Sequence, residues 1–453
     1  MAKRHAEIVC RALLMGMFAA HAGAQEPRAQ QGRDLGSVAL VGGALIDGTG
    51  GKLILNSVIL VKGERIERIG TQESLQVPSG YQQISTEGMT VLPGLWDMHT
   101  HLQYSAHADL NHWNSTYLPQ MERVVMPAIA SQLLMAGITS ARDPMAPTDP
   151  VLNVKRKIAR GEIPGPTMYV SGALLEHQPP AGVDSFRWGV AGRDDARAKV
   201  NRLADKGVDL IKLLCVPDMT VDEARAVVEQ AHARHLKVAA HGRSDAEIRK
   251  CLAAGVDDFQ HLGPQAPFPD DIVEAIKERM KVQPSLIWTP TVGELYSWEH
   301  IKTNPEILDD PAWHRGFPAN IIEDIRKSMA SFPASLARRP PLNREILKQK
   351  FNQLRELGVP MLIGTDSGSG GHFHPQSVWL ELDAWVNELG VDPMTALRAA
   401  TIFPAEVMGV QRDYGSVEPG KYADLIVIHG DPLQHINILR DPVVVIKHGI
   451  RFK

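Results

Sequence analysis

One pattern occurs four times in this 453-residue chain and limits the folds that the chain can adopt. The segments are AGITSARD (136–143), KGVDLIKLL (206–214), AGVDDFQHL (254–262) and LGVPMLIGTD (357–366). In each, a glycine follows a helical stretch, and a β-branched residue then opens an apolar strand. Glycine most readily adopts the left-handed conformation that ends a helix. The pattern therefore predicts strands that alternate with helices, as in parallel βαβ units.

Eight such strands can be counted in the middle of the chain. Helix starts support the count, because TVDE (220–223) and SDAE (244–247) are capping boxes, and Asp392 with Pro393 supplies an N-cap and a first-turn proline. Eight repeats favour a closed (β/α)8 TIM barrel. An open doubly wound sheet is the alternative, but no G-x-G-x-x-G follows the first strand. The predicted strands lie near 94–99, 138–143, 167–172, 209–214, 237–241, 258–262, 286–291 and 361–366.

Both ends of the chain carry short β-branched runs separated by glycine, which predict strands. Residues 37–92 and 411–453 share this texture, and we expect them to form one small composite β-sandwich domain. The barrel then spans residues 93–410. A long segment near 292–352 interrupts it, and we expect a helical insertion there that covers the mouth of the barrel.

The N-terminus contains the three parts of a secretory signal peptide in order. Basic residues precede the apolar run ALLMGMFAA, and Ala22 and Ala24 form an A-x-A cleavage site. We predict a signal peptide over residues 1–24, a polar linker over 25–36, and export to the periplasm or beyond the cell. A buried N-terminal helix is the alternative. The apolar run is too short to span a bilayer, and no later stretch approaches that length.

Composition and charge limit the kinds of partner that the protein can bind, and the cysteines indicate whether disulfides form. The net charge is −4, with 44% hydrophobic and 22% charged residues, which is typical of a soluble globular protein. No basic block suggests nucleic acid, so we expect a small-molecule substrate. Cys10 would leave with the signal peptide, and Cys215, inside an apolar run, is expected to be a buried thiol rather than part of a disulfide framework. The oligomeric state, including a homo-oligomer, stays open.

The residues expected to carry chemistry stand at predicted strand ends. His99 and His101 of WDMHTHL are i and i+2 in a strand, so their side chains point to one face. Active sites in this barrel lie at the C-terminal ends of the strands, where residues far apart in the chain meet. Each residue alone has an ordinary structural explanation, but together they predict a metal site. The set is His99, His101, Lys212, His241, His261 and Asp366.

Lys212 lies in the apolar run DLIKLL, so we expect it to be buried. Burial favours the neutral amine, and a neutral amine can take up CO₂ to form a carbamate. A carbamate is an anion with two oxygen donors that can bridge a pair of cations. The alternative is a lysine that turns outward to a carboxylate.

With that carbamate, the set suits two divalent ions, with zinc expected. His99, His101 and Asp366 would hold one ion, and His241 and His261 the other. Two such ions lower the pKa of a shared water and polarise a carbonyl. Asp366 can take the proton from the water and hand it to the leaving group. The predicted reaction is hydrolysis.

These motifs resemble those of the amidohydrolase superfamily, most strongly its imidazolonepropionase-like and Xaa-Pro-dipeptidase-like (prolidase) branch. The resemblance implies a barrel with a composite β domain, a binuclear and usually zinc centre, carboxylation of Lys212 and a base role for Asp366. It also implies hydrolysis of an amide or peptide bond in a dipeptide or an N-acyl amino acid. The segments that carry it, within residues 38–453, are VLPGLWDMHTHL, VDLIKLL, VAAHG, AGVDDFQHLG, GTDSG, ALRAATIFPAEVMG and GSVEPGKYADLIVIHGDPL.

Two loops depart from that branch. RDPMAP stands where an RDLGG-like turn is usual, and SGALLEHQPPAG stands where relatives resemble GGHG. Candidates to contact a substrate carboxylate or oxyanion are His177, Arg187, Arg243 and His374. Three alternatives stay open: a hydrolase of a lactone, phosphoester or cyclic amide on the same site, a mononuclear imidazolonepropionase-like or deaminase-like enzyme, and a non-catalytic binding protein.

Overall fold

The structure is a computed structural model that describes residues 33–34, 36–215, 218–282, 286–330 and 342–453. The predicted signal peptide and most of the predicted linker lie outside the described residues. The strands are β1 Arg33–Asp34, β2 Ser37–Val41, β3 Ala44–Leu45, β4 Ser57–Lys62, β5 Arg65–Thr71, β6 Gln82–Ser85, β7 Met89–Pro93, β8 Leu95–Asp97, β9 Ile138–Asp143, β10 Thr167–Val170, β11 Leu174–Glu176, β12 Arg187–Gly189, β13 Leu210–Leu213, β14 Lys237–His241, β15 Asp258–Gln260, β16 Ile287–Thr289, β17 Leu425–His429, β18 Val444–Lys447 and β19 Ile450–Arg451.

The helices between them are α1 Leu110–Tyr117, α2 Met126–Met135, α3 Thr148–Ala159, α4 Arg193–Lys206, α5 Val221–Ala233, α6 Asp245–Ala254, α7 Asp270–Met280, α8 Gly293–Thr303, α9 Pro311–His314, α10 Ala319–Ala330, α11 Arg344–Glu356, α12 His374–Asp383, α13 Pro393–Ala399 and α14 Ile402–Val407. Short 3₁₀ turns cover Leu118–Gln120, Pro305–Asp309 and Ile436–Arg440, and π-helical turns cover Met121–Val125 and Ala384–Glu388. Within the described part of the chain, none of these helices has the length and apolar character needed to cross a bilayer.

Parallel pairings join the predicted barrel strands in chain order. β8 pairs with β9 and β9 with β10, and a second run joins β13, β14, β15 and β16. The third predicted strand is broken at Gly172, which has a φ of +66°. Its first half, β10, pairs with β9, and its second half, β11, pairs with β13. The two runs are therefore joined through the halves of one strand.

The eighth predicted strand, 361–366, differs from expectation. Within this fully described segment only Met361 forms a bridge, to Trp288, and Asp366 at its end has a φ of +57° and leaves the extended conformation. The backbone of this part of the chain nevertheless connects β16, the seventh predicted barrel strand, to the residues that follow β8, the first. The Trp288 N–H donates to the Pro360 carbonyl at 2.9 Å, and the Met98 N–H donates to the Ile363 carbonyl at 3.0 Å. The chain thus contains a mixed, TIM-barrel-like α/β domain.

The local helix signals are confirmed. The four glycines of the repeated pattern, Gly137, Gly207, Gly255 and Gly358, all have positive φ. Both capping boxes form, with reciprocal hydrogen bonds between the Thr220 or Ser244 side chain and the glutamate three residues later. The Asp392 side chain accepts from the Thr395 N–H ahead of the first-turn proline. These local signals fix where each helix ends, and so where each strand begins.

Strands from both ends of the chain share one sheet. Its order is β1-β19-β18-β17-β7-β3, with β17 antiparallel to β7. A second sheet, of order β5-β4-β2-β6, comes from the N-terminal part. Buried apolar side chains of both sheets form one cluster that includes Val38, Ile59, Val91 and Leu425. The two sheets therefore share an apolar core.

The cysteine prediction was wrong, because Cys215 and Cys251 form a disulfide. Cys215 follows β13, and Cys251 lies in α6, which follows the neighbouring strand β14. Since β13 and β14 pair directly, α6 packs beside the end of β13. Two cysteines 36 positions apart meet there, and both are fully buried.

We expect Cys251→Ser to lower the free energy of unfolding by about 2–4 kcal/mol, because the disulfide closes a long loop in the unfolded chain. Denaturant unfolding of the oxidised wild type and the variant measures this difference. Cys215→Ser and the double serine variant are the controls, and each should lose the same amount, since all three remove one cross-link. A double variant as stable as the wild type would show that the cross-link does not form.

Candidate metal centre

The predicted ligands meet at one end of the parallel strands. His99 and His101 follow β8, His241 ends β14 and His261 follows β15. Asp366 lies in the segment that joins β16 to β8, where its own N–H donates to the His99 carbonyl at 2.7 Å. His99, His101, His261 and Asp366 are buried, with His99 and His261 each only 1% exposed, and His241 is partly buried. Residues from distant parts of the chain are thus gathered in one place.

Asp366 is the centre of this cluster. Its Oδ1 lies 3.0 Å from His101 Nε2 and 3.5 Å from His99 Nε2, and its Oδ2 lies 3.6 Å from His261 Nδ1. The His261 ring centroid is 4.6 Å from that of His99 and 4.2 Å from that of His241. Three imidazoles therefore surround one carboxylate, and His261 connects His241 to them.

Lys212 is buried, as its sequence context predicts. It lies on β13 opposite Ala239 of β14, two residues before His241, and it is 2% exposed. Burial lowers the pKa of Lys212 to about 7, although the charges of Asp366 and Asp258 oppose the shift. Burial is the main cause that lowers the pKa of His99, His241 and His261, and the charge of protonated Lys212 lowers it further. Lys212 therefore interacts electrostatically with the histidines of the cluster, and its neutral form is well populated near neutral pH.

Three buried nitrogens in the cluster make no hydrogen bond to any described residue. They are Lys212 Nζ, His241 Nδ1 and His261 Nε2. Buried polar atoms are almost always paired, so three unpaired ones in one cluster indicate a missing partner. Ligand atoms of His99, His261 and Asp366 also lie within 4.8 Å of one another. Imidazole nitrogens and a carboxylate oxygen are ligands that suit zinc and similar divalent ions, so these residues fit a metal centre.

Neighbouring side chains orient the imidazoles, and the sequence prediction missed them. His99 Nδ1–H donates to Gln260 Oε1 at 2.6 Å, which turns Nε2 towards Asp366. His261 Nδ1 lies 2.8 Å from Thr291 Oγ1. His101 Nδ1 lies 3.4 Å from the Met145 carbonyl. The sequence contains one indication that Gln260 is near the site, because it directly precedes His261 in the strand motif FQHL. Nothing local indicates which histidine it contacts.

Gln260→Leu should weaken zinc binding by about 10- to 100-fold, because the His99 ring loses the acceptor that fixes its tautomer. Competition against a chromophoric chelator measures the affinity. Gln353→Leu is a matched control, since Gln353 bonds to the backbone of Phe268 away from the cluster. Equal zinc affinity in the Gln260 variant and the wild type would remove the orienting role.

Opposing effects set the ionisation of Asp366 and His101. Burial would raise the pKa of Asp366, but the hydrogen bond from His101 and the charges of His99 and Arg243 hold that pKa well below its usual range. Burial would lower the pKa of His101, but Asp143 and Asp366 raise it to about 9. Asp366 is therefore ionised at neutral pH and can bind a cation.

The backbone is strained at the same place. His261 and Asp366 have positive φ values of 72° and 57°, and Thr291, which contacts His261, has a φ of 49°. Such conformations cost energy in non-glycine residues and cluster at functional sites. Gly364 is also required here, because a side chain at that position would collide with Thr289 and with the His99 backbone.

The four predicted substrate contacts divide into two groups. Arg243 lies in the cluster, with Nη2 at 3.0 Å from Asp366 Oδ2 and 2.6 Å from Glu294 Oε2. His374 is 1% exposed and its Nε2–H donates to the His101 carbonyl at 3.1 Å, so it supports a ligand strand rather than facing the site. Glu294 is a further charged residue of the site that the sequence prediction missed.

The structure does not bring His177 or Arg187 to the cluster. Their described contacts are ion pairs, from His177 to Glu223 at 3.2 Å and from Arg187 Nε to Glu176 at 2.5 Å. Both residues follow the break in the third strand, with His177 directly after β11 and Arg187 at the start of β12. Their assignment as substrate contacts therefore rests on sequence alone.

A TIM-barrel-like domain with four histidines, a lysine and an aspartate at its strand ends defines a candidate metal-dependent hydrolase. The amidohydrolase family model matches residues 90–450, so the chain belongs to the amidohydrolase family. Ochratoxinase of Aspergillus niger is 25% identical over 445 residues, which cover 89% of this chain and 83% of that protein.

Solved structures agree with this assignment. A prolidase-like protein from Bifidobacterium longum matches with a TM-score of 0.69 at 25% identity, over 92% of this chain and 94% of that one. Molinate hydrolase matches with a TM-score of 0.71 at 20% identity, over 93% and 95% of the two chains, and shows the shared fold. The resemblance to the prolidase-like branch of the amidohydrolases is confirmed.

Proposed function

We propose that this chain is an exported, binuclear metal-dependent amidohydrolase that hydrolyses an amide or peptide bond in a dipeptide or an N-acyl amino acid. The observation that carries the proposal is the convergence of three imidazoles on Asp366, with His241 against His261 and the unpaired amine of Lys212 in the same cluster. The family membership supports a hydrolase, and the geometry supports a site that holds more than one cation.

We infer that the α/β domain is a closed (β/α)8 barrel over residues 93–410, with an insertion near 292–352, and that residues 37–92 and 411–453 form a composite β-sandwich. The ring of backbone pairings supports the barrel. The apolar core common to the two terminal sheets supports the sandwich. Helices α8, α9 and α10 support a helical insertion.

The metal ligands follow from the cluster. His99, His101 and Asp366 would hold one divalent ion, and His241 and His261 the other. Lys212, carboxylated on its Nζ, would bridge them. When bound, a pair of zinc ions would polarise the scissile carbonyl and lower the pKa of water. The unpaired nitrogens of Lys212, His241 and His261 support this assignment.

The protein's own groups would manage the proton. Hydrolysis adds the oxygen of water to the carbonyl carbon and breaks the C–N bond, and one proton of the water must reach the leaving nitrogen. Asp366 accepts that proton and delivers it. Arg243, 3.0 Å away, stabilises the ionised carboxylate that accepts it. Gln260 keeps the His99 Nε2 lone pair facing the site.

An amide substrate with a carboxylate is supported by two observations. Ochratoxinase and a prolidase-like protein are relatives at 25% identity, and each name describes a hydrolase. In this chain, the Arg243 guanidinium lies beside Asp366 and its side chain is 34% exposed, so it is a cation that can receive a substrate carboxylate.

Arg243→Gln is expected to lower kcat/KM for carboxylate-bearing substrates by about 10- to 100-fold, since a charge-assisted hydrogen bond contributes about 1.5–3 kcal/mol. The variant should lose less on an amide whose carboxylate is methylated, which isolates the charge interaction. Steady-state kinetics on the acid and its methyl ester make the comparison. Equal losses on both substrates would assign Arg243 to positioning Asp366 instead.

Export is supported by the disulfide. Disulfides persist in oxidising compartments and are rare in the cytosol. Cys215 and Cys251 form one in the folded chain. We propose that residues 1–24 direct export and are removed near Ala24, and N-terminal sequencing of the protein recovered from the producing cell tests this. A recovered chain that begins at Met1 would contradict the proposal.

The function itself is tested by a substrate panel. Zinc-loaded full-length chain should hydrolyse members of a set of dipeptides and N-acyl amino acids, with product release followed by mass spectrometry. Matched lactones and phosphoesters in the same panel separate the bond classes. Activity on lactones alone, with none on amides, would overturn the proposed bond specificity.

A further inference from the structure

A second group of potential metal ligands lies outside the cluster described above. It consists of His107, His112 and Asp324, whose ligand atoms all lie within 4.8 Å of one another. His107 lies in the loop after β8, His112 in α1 and Asp324 in α10. Three separate elements thus contribute one ligand each. Neither the family match nor the proposed reaction uses these residues.

His107 is the most informative member of the group. Its side chain is 2% exposed, and its Nε2 makes no hydrogen bond within the described part of the chain. That nitrogen faces Asp324, with Oδ2 at 3.7 Å. On the other side of the ring, Nδ1 is 2.8 Å from the Asp109 carbonyl and 3.0 Å from the Asp109 N–H. The backbone of Asp109 thus holds Nδ1, and with the proton on Nδ1 the unpaired Nε2 is the ring nitrogen free to bind a cation, as in metal-bound histidine.

His112 and Asp324 complete the group. His112 Nε2 lies 2.9 Å from Asp324 Oδ2, and its ring stacks on that of His107 with centroids 5.3 Å apart. The Tyr117 hydroxyl donates to Asp324 Oδ2 at 2.8 Å and so orients the carboxylate. The His112 side chain is 45% exposed, so a cation can enter from solvent and keep water at its remaining positions.

We propose that His107, His112 and Asp324 form a separate binding site for a single divalent cation of the zinc class. Two imidazoles and a carboxylate match the ligand preference of Zn²⁺. The cation would occupy the space between Nε2 of His107 and the pair formed by His112 and Asp324. It would give the buried Nε2 of His107 the partner that it lacks.

The position of the site indicates what the cation does. The neighbouring residue Ala106 exchanges backbone hydrogen bonds with Gly368 and Gly371, in the loop after Asp366. The Ala108 N–H donates to Ser328 Oγ of α10 at 3.1 Å. A cation here therefore ties α10, in the segment predicted as an insertion, to the loop that follows the His99–His101 strand. Binding should hold α10 in place without taking part in hydrolysis.

The test is the number of zinc ions that the full-length chain retains. Protein stripped by a chelator is reloaded with Zn²⁺, desalted and measured by elemental analysis. We expect about three zinc ions in the wild type and about two in Asp324→Asn, since a neutral amide is a poor zinc ligand. Glu323→Gln, one position away on α10, is the matched control and should retain about three.

A second background separates this proposal from that for the barrel site. A His241→Asn, His261→Asn double variant loses the ligands of one barrel ion, so it should retain about two zinc ions, and adding Asp324→Asn should lower this to about one. His112→Gln, at an exposed position, provides a variant that should fold normally and should weaken this binding by more than about tenfold. Visible absorption of bound Co²⁺ reports the same loss independently. If Asp324→Asn left the zinc content unchanged in both the wild type and the double variant, the proposal would be overturned. His107, His112 and Asp324 would then form only a hydrogen-bonded contact.

Discussion

Asp366→Asn is expected to lower kcat by about 10²- to 10⁴-fold, the usual contribution of a positioned general acid–base group. The amide has nearly the shape of the carboxylate, but it cannot accept the proton of water and it binds cations weakly. In the folded chain, this carboxylate lies within 3.6 Å of His99, His101 and His261. Single-turnover kinetics on the best substrate of the panel measures the loss.

A matched aspartate separates this loss from a general effect of removing a charge. Asp392 caps α13 through the Thr395 N–H, and asparagine caps helices equally well. Asp392→Asn should therefore keep wild-type kcat. Full activity in Asp366→Asn would remove the proton-transfer role, whereas a loss in both variants would indicate an effect on folding.

Lys212→Met should lower kcat/KM by more than about 100-fold, because losing the proposed bridging ligand should exceed the 10- to 100-fold loss typical of removing a group that only orients a ligand. Methionine preserves the volume and the apolar contacts of a side chain that is 2% exposed. The variant should retain less zinc than the wild type. An added short-chain carboxylate should restore part of the activity, since it can supply the missing oxygen donors.

Carboxylation of Lys212 also predicts a dependence on pH and CO₂. Only the neutral amine reacts with CO₂, and burial lowers the pKa of Lys212 to about 7. Zinc reloading of the stripped protein should therefore slow as the pH falls below about 7, where the ammonium form dominates, and should speed up with bicarbonate. Lys447→Met, at a buried lysine of β18 that bonds to Thr167, is the control and should reload normally. Reloading that is indifferent to bicarbonate would contradict the carbamate.

The features that could be predicted from the sequence are those with local causes. Gly207 and Gly255 end helices because their φ values are positive, and the pattern of glycine followed by a β-branched residue reveals this directly. Each such helix end sets the start of a strand, and each strand end then carries a ligand candidate. Lys212 was expected to be buried because its neighbours in the chain are apolar, and it is.

The features that could not be predicted depend on which strands and helices become neighbours. The contact of Gln260 with His99 joins residues 161 positions apart. The pairing of Cys215 with Cys251 depends on α6 packing beside β13. Asp324 reaches His112 only because α10 folds back over α1. No short motif records any of these contacts, so the structure was needed to find them.

The loop after the third strand contains two residues whose contacts could not be predicted from the sequence. His177 and Arg187 were chosen by residue type, but the break at Gly172 redirects the chain into β11 and β12, and both side chains form ion pairs there. Arg243 was chosen on the same grounds and does reach Asp366. Residue type therefore did not decide which of these side chains reaches the cluster.

Anomalous diffraction at the zinc edge, from crystals of the zinc-loaded chain, tests the central claim most directly. The account predicts a pair of peaks among His99, His101, His241 and His261, with extra density on Lys212 Nζ between them. A single peak among these residues, or an unmodified Lys212 remote from any metal, would contradict it.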